Sequence, residues 1–134
     1  MIYIIYHERV RKMASSRNSF KTGSCEMLIL FILKHHGDCY AYQLSQLIRQ
    51  LSDDDISFPE GSLYPAFYRL IDNEYVSDYK KQVGKRLIRV YYHLEPKGEQ
   101  YLEHLLEEYY STINSINMIL NHDFSSERGD ACND

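Results

Sequence analysis

Apolar residues recur along this chain in runs that change period. Within residues 24–36 the chain is apolar without a break from Met27 to Leu33. That predicts a helix buried on most sides, with Ser24 as its N-cap and Gly37 as its stop. Tyr40, Leu44, Leu47, Ile48 and Leu51 form a single stripe and predict a second helix over 40–51. Ser57-Phe58-Pro59-Glu60 reads as a capping box that opens a third helix, whose inward stripe is Leu63, Phe67, Leu70 and Ile71. Pro65 cannot donate to Gly61, so the first turns are expected to be irregular, or the regular helix to begin near Ser62.

The period then changes to two. Residues 75–81 and 87–94 read as strands, the second with Ile88, Val90, Tyr92 and Leu94 alternating with Leu87, Arg89, Tyr91 and His93. Gly84 marks the turn between them. Pro96 opens a long helix running to about Leu120, along which Leu102, Leu106, Tyr109, Ile113, Ile116 and Leu120 make a heptad seam. So long a stripe cannot be hidden on so small a body, and a second copy of the same helix is its simplest partner. The expected fold is mainly α with a two-stranded β wing: a winged helix-turn-helix with a long C-terminal dimerisation helix. The expected organisation is an N-terminal arm over 1–22, partly disordered or helical, a DNA-binding domain over 23–95, the dimerisation helix over 96–121 and a flexible tail over 122–134.

Charge changes the picture. The formal net charge of −4 would by itself argue against nucleic acid, but the charges are segregated. Residues 95–134 carry nine acids against Lys97 and Arg128, whereas Lys80, Lys81, Lys85, Arg86 and Arg89 fall within ten residues that contain no acid. Lysine and arginine on a hairpin neutralise phosphates and release counterions. The third helix precedes that hairpin and leaves Ser62, Tyr64, Pro65, Tyr68 and Arg69 on its outer faces, where hydroxyls and a guanidinium suit phosphates and base edges.

Other chemistry is poorly supported. Three cysteines without a CxxC pair suggest reduced thiols in a cytoplasmic protein. Adjacent His35 and His36 point about 100° apart on a helix and do not converge on a metal. The run Asp53-Asp54-Asp55 lacks the calcium-loop pattern. No nucleophile elbow, phosphate loop or HExxH occurs, so no enzyme and no cofactor are expected. No stretch of about 20 apolar residues exists to span a membrane.

Several of these segments together resemble the PadR family of bacterial transcriptional regulators. They are Gly23-Ser24, the run Tyr40 to Leu44, the run Glu60 to Leu70, Gly84-Lys85-Arg86, Val90 to Leu94 and Pro96-Lys97-Gly98, covering about residues 20–121. Two positions depart from the family's usual pattern, Ala41 for a glycine and Glu95 for a threonine. The resemblance implies a homodimer joined through the C-terminal helix that binds a palindromic operator, usually as a repressor. It also implies that some members release DNA on binding a small aromatic or drug-like molecule, for which Tyr109 and Tyr110 are candidate lining residues here. Carried onto matching positions, Tyr42, Ser62, Tyr64, Tyr68 and Arg69 are the expected helix-turn-helix contacts to double-stranded DNA, with Lys80, Lys81, Lys85 and Arg86 on the wing. The rival reading from a different class is a winged-helix protein–protein interaction module without specific DNA binding.

Overall fold

The computed structural model describes residues 19–127. The elements run α1 (Ser19–His35), β1 (Cys39–Tyr40), α2 (Ala41–Leu51), α3 (Glu60–Asp72), β2 (Val76–Val83), β3 (Leu87–Leu94) and α4 (Pro96–Leu120). The three strands form one antiparallel sheet in the order β1-β3-β2. The chain divides into two compact units, the first ending at Leu102 and the second beginning at Glu103, so the boundary falls inside α4.

The core of the first unit is the set of stripes legible in the sequence. Ile29, Leu30 and Leu33 of α1 meet Leu44 and Ile48 of α2, then Leu63, Phe67 and Leu70 of α3, with Val76, Tyr92 and Leu102 completing it. Tyr92 stacks on Phe67 at 3.9 Å between ring centroids, which couples β3 to the middle of α3. Burial pushes the Tyr92 hydroxyl up to about 12. Burial likewise pushes the Cys25 and Cys39 thiols up to about 11, which disfavours the nucleophilic thiolate at both. Cys132 lies outside the described residues.

Four local expectations are corrected. α1 begins at Ser19, so Ser24 sits inside the helix rather than capping it. The capping box at Ser57 does not form: α3 starts at Glu60, with Pro59 in the cap position and no side chain bonded there. Pro59 forces the preceding residue into an extended conformation, so no helix can begin before it. Pro65 is accommodated within a continuous α3, whose first turn is tightened by Ser62 N–H and Oγ–H both donating to the Pro59 carbonyl at 2.9 and 2.8 Å. Finally, the wing hairpin carries a third strand. β1 pairs with β3 through Cys39 opposite Tyr92 and Tyr40 opposite Tyr91.

The turn between α2 and α3 is held by serines. Buried Ser45 donates to the Phe58 carbonyl at 2.8 Å, and Ser52 Oγ caps the end of α2 while accepting from Ile56 N–H at 2.9 Å. α3 ends with Glu74 in a left-handed conformation and Tyr75 N–H returning to the Leu70 carbonyl, which turns the chain sharply into β2.

Gly98 marks a close approach. It is buried in the first turn of α4, and a Cβ there would run into the backbone carbonyl of Tyr75, which already accepts from Glu95 N–H at 3.0 Å. Gly98→Ala should therefore destabilise the fold by about 1–3 kcal/mol, the usual range for overpacking. On an open helix surface the same change stabilises by about 1 kcal/mol. The urea midpoint reads the sign directly, and a stabilised variant would refute the contact.

Candidate nucleic-acid interface

α3 is seated by one face and presents the other. Leu63, Ala66, Phe67 and Leu70 are buried, whereas Gly61, Ser62, Pro65, Tyr68 and Arg69 are exposed. Tyr68 is 63% exposed, and Tyr42 on α2 is 53% exposed, so both hydroxyls are free to meet a ligand in solvent. Tyr64 is half-buried. Its ring meets Phe67 edge-on at 5.9 Å and its hydroxyl donates to Glu60 at 3.2 Å. Burial first, and then the Glu60 carboxylate, raises its pKa, which keeps it a protonated donor.

Arg69 departs from the expected picture of a free reader. Its Nε donates to Glu26 Oε1 of α1 at 2.6 Å, although the side chain remains 55% exposed. The pair ties α3 to α1, and any contact of Arg69 with a base edge competes with Glu26.

The wing places its charges on both faces. Cross-strand partners share a face, and Lys81 is paired with Arg89 while Lys80 is paired with Val90. Asp78 opposite Tyr92 identifies the Lys80 face as the one turned toward Phe67, so Lys81 and Arg89 lie on the outer face. Lys85 and Arg86 follow Gly84, whose φ of +73° makes the tight turn at the tip. All four expected wing cations are exposed.

Two features carry chemistry that the sequence alone did not assign. The first is a cleft of about 420 Å³ between the starts of α2 and α3 and residues 88–92 of β3. Tyr42, Tyr64 and Tyr92 line it, together with Glu60, Val90 and Arg89. The Arg89 guanidinium rests 4.3 Å from the centre of the Tyr40 ring on the outer face of the sheet, which ties this cation of β3 to β1. Arg89 was visible as a charge in the basic run. Its partner was not, because a two-residue strand is too short to show a period.

The second is a carboxylate that gathers the wing strands. Asp38 Oδ1 lies 2.7 Å from His93 Nδ1 on β3, and Asp38 Oδ2 accepts from the Tyr79 hydroxyl of β2 at 2.8 Å. Burial pushes the Asp38 carboxyl up, but the two hydrogen bonds and the His93 charge together outweigh it and leave the pKa below its ordinary value. A depressed carboxylate contributes stability above its unfolded pKa and loses it as the pH falls through the folded value. Tyr79 also stacks with Tyr91, and Lys81 lies 5.5 Å from the Tyr91 ring centre.

The expected seam on α4 divides. Leu102 is fully buried within the core of the first unit and is therefore removed from any outer interface. In the second unit, Tyr109 and Leu120 are exposed, and Leu106, Ile113 and Ile116 are half-buried. Tyr109 and Tyr110 meet edge-on at 5.1 Å. Among the described residues no group of His, Cys, Asp or Glu is arranged to hold a metal ion, and no helix is long and apolar enough to cross a membrane.

Comparison with known proteins adds an independent line. The model of the PadR-like transcriptional regulator family matches residues 29–104. A transcriptional regulator structure from Clostridium thermocellum is 33% identical, with a TM-score of 0.69, covering 76% of this chain and 95% of that one. A PadR family transcription regulator from Clostridium difficile is 26% identical, with a TM-score of 0.62 over 73% of this chain and 99% of its own. PadR of Bacillus subtilis, solved in complex with operator DNA, shares the fold at 22% identity and a TM-score of 0.55, over 60% of this chain and 45% of that one.

Proposed function

Because the chain belongs to the PadR-like family of transcriptional regulators, we propose that it is a DNA-binding transcriptional regulator that reads a specific site in double-stranded DNA. The observation that carries this reading is the juxtaposition of two surfaces. The outer face of α3 offers tyrosine and serine hydroxyls, and the adjoining hairpin carries five cations and no acid between Lys80 and Arg89. Phosphate contacts from such a wing fix register without reading sequence, while a helix in the major groove reads base edges. In this proposal Tyr42, Ser62, Tyr64, Tyr68 and Arg69 form the reading set. Lys80, Lys81, Lys85 and Arg86 hold phosphates, and Arg89 joins them from the outer face of β3.

The finer reading is a repressor that acts as a homodimer on a palindrome. Leu106, Tyr109, Ile113, Ile116 and Leu120 form the seam between copies, and a small aromatic effector seats against Tyr109 and Tyr110. The domain layout proposed with it has a helix-turn-helix body, the α4 seam and a C-terminal tail. Gel-shift titration against the chain's own upstream region tests the proposal. Affinity equal to that for random DNA would instead favour the reading as a protein–protein interaction module.

Arg69 gives a sharper test within the set. If it leaves Glu26 to bond a guanine, Arg69→Ala should lose about 1–3 kcal/mol of discrimination at one operator position, the value of one bidentate base contact. Selection of binding sites by the variant reads this out. A loss uniform across all sequences would assign Arg69 to holding α3 against α1 alone.

A further inference from the structure

We propose that Asp38 is the positioning residue of the wing: its carboxylate, bonded to Tyr79 on β2 and His93 on β3, fixes the angle at which the basic hairpin leaves the body. This rests on the DNA-binding reading above and adds to it a residue that touches no DNA.

The hairpin is anchored at its base, where Val76 and Tyr92 are buried and Tyr92 stacks on Phe67. β1 pairs with β3 at two positions only, Cys39 with Tyr92 and Tyr40 with Tyr91. β2 lies on the far side of β3 from β1 and has no ladder to the body. The tip from Lys80 to Leu87 therefore extends from a narrow base. Continuing the register by one residue sets Asp38 opposite His93, at the point where β1 begins. From there one oxygen meets His93 at 2.7 Å and the other passes the line of β3 to meet Tyr79 on β2 at 2.8 Å. A single side chain thus spans all three strands on the outer face. It is presented by the turn after α1, where Gly37 adopts a φ of +105° that other residues rarely take.

The carboxylate would be a liability for any other purpose. It sits beside a hairpin that carries Lys80, Lys81, Lys85, Arg86 and Arg89, where a negative charge repels phosphate. Charge alone therefore dictates that removing Asp38 tightens DNA binding. A positioning role dictates the opposite, because a wing that swings freely must be ordered before it can hold phosphates. The two roles differ in sign, which makes the proposal easy to overturn.

The test uses the full chain and the DNA site it selects. Asp38→Ala should weaken operator binding about tenfold or more and reduce the magnitude of the salt-dependence slope by about 2, equivalent to two lost phosphate contacts at about 0.9 each. In that background Lys85→Ala with Arg86→Ala should cost less than about twofold more, since contacts already lost cannot be lost again. Asp38→Asn has the same shape and keeps an acceptor for His93, so it should retain most of the affinity although it too has lost the charge. Tightened binding in both variants, or an unchanged slope with additive losses, would overturn the proposal. A DNA-free measurement separates it from the functional reading. Amide exchange at the β1–β3 pairing, residues 39–40 and 91–92, at the base of the wing should accelerate in Asp38→Ala while α2 and α3 are unaffected. Unchanged exchange at that pairing, or acceleration throughout the fold, would reject the clasp whether or not the protein binds an operator. Accelerated exchange there in a protein whose wild type selects no DNA would instead retain the clasp and reject the DNA reading.

Discussion

Replacing Lys80, Lys81, Lys85 and Arg86 together with alanine should reduce the salt-dependence slope of DNA binding by about 3–4, and weaken binding to every sequence alike. The size follows from counterion release, at about 0.9 of slope per phosphate neutralised on double-stranded DNA. The uniformity follows from what a wing touches, since phosphate contacts carry no sequence information. All four side chains are exposed, so the substitutions leave the core intact. Titration at several salt concentrations gives the slope. An unchanged slope would remove the wing from the interface.

Phe67→Ala should cost about 3–5 kcal/mol of folding stability, the range for truncating a buried aromatic residue. Phe67 is fully buried, and its ring is stacked against Tyr92 and edge-on to Tyr64. It connects the three parts the proposed site needs: the seat of α3, the base of the wing and a lining residue of the cleft. The ring is too large for its neighbours to fill the space it leaves, and Tyr92 would lose its stacking partner. Urea unfolding with linear extrapolation measures the loss. A cost below about 1 kcal/mol would mean that α3 is seated by other contacts.

Much of this arrangement was legible in the residue pattern, for identifiable reasons. The stripes of α2 and α3 follow a 3.6-residue period because each helix buries one side, and Leu44, Ile48, Leu63, Phe67 and Leu70 are buried accordingly. The alternation in β3 corresponds to burial only at Tyr92, which lies on Phe67, because Ile88 and Val90 on the same face are exposed on the projecting wing. What escaped was what pattern cannot encode. β1 is two residues long, shorter than one alternation. The start of α1 at Ser19 was hidden by polar residues that favour caps in isolation, although the helix runs through them here. The pairing of Arg69 with Glu26 joins residues 43 apart, and the bonds of Asp38 to Tyr79 and His93 join residues 41 and 55 apart. Such contacts follow from topology, which no local window contains. Leu102 matched the heptad perfectly by spacing, yet the close packing of α4 at Gly98 buries it in the first unit.

In the proposed function this chain reads one DNA sequence through α3 while the wing holds the backbone. Footprinting of the wild-type protein on its own upstream region, titrated beside a scrambled duplex of equal length, tests it most directly. A protected palindrome occupied by two chains is expected, bound on the order of a thousandfold or more tighter than the scrambled duplex. Equal affinity for both duplexes, with no protected segment, would contradict it.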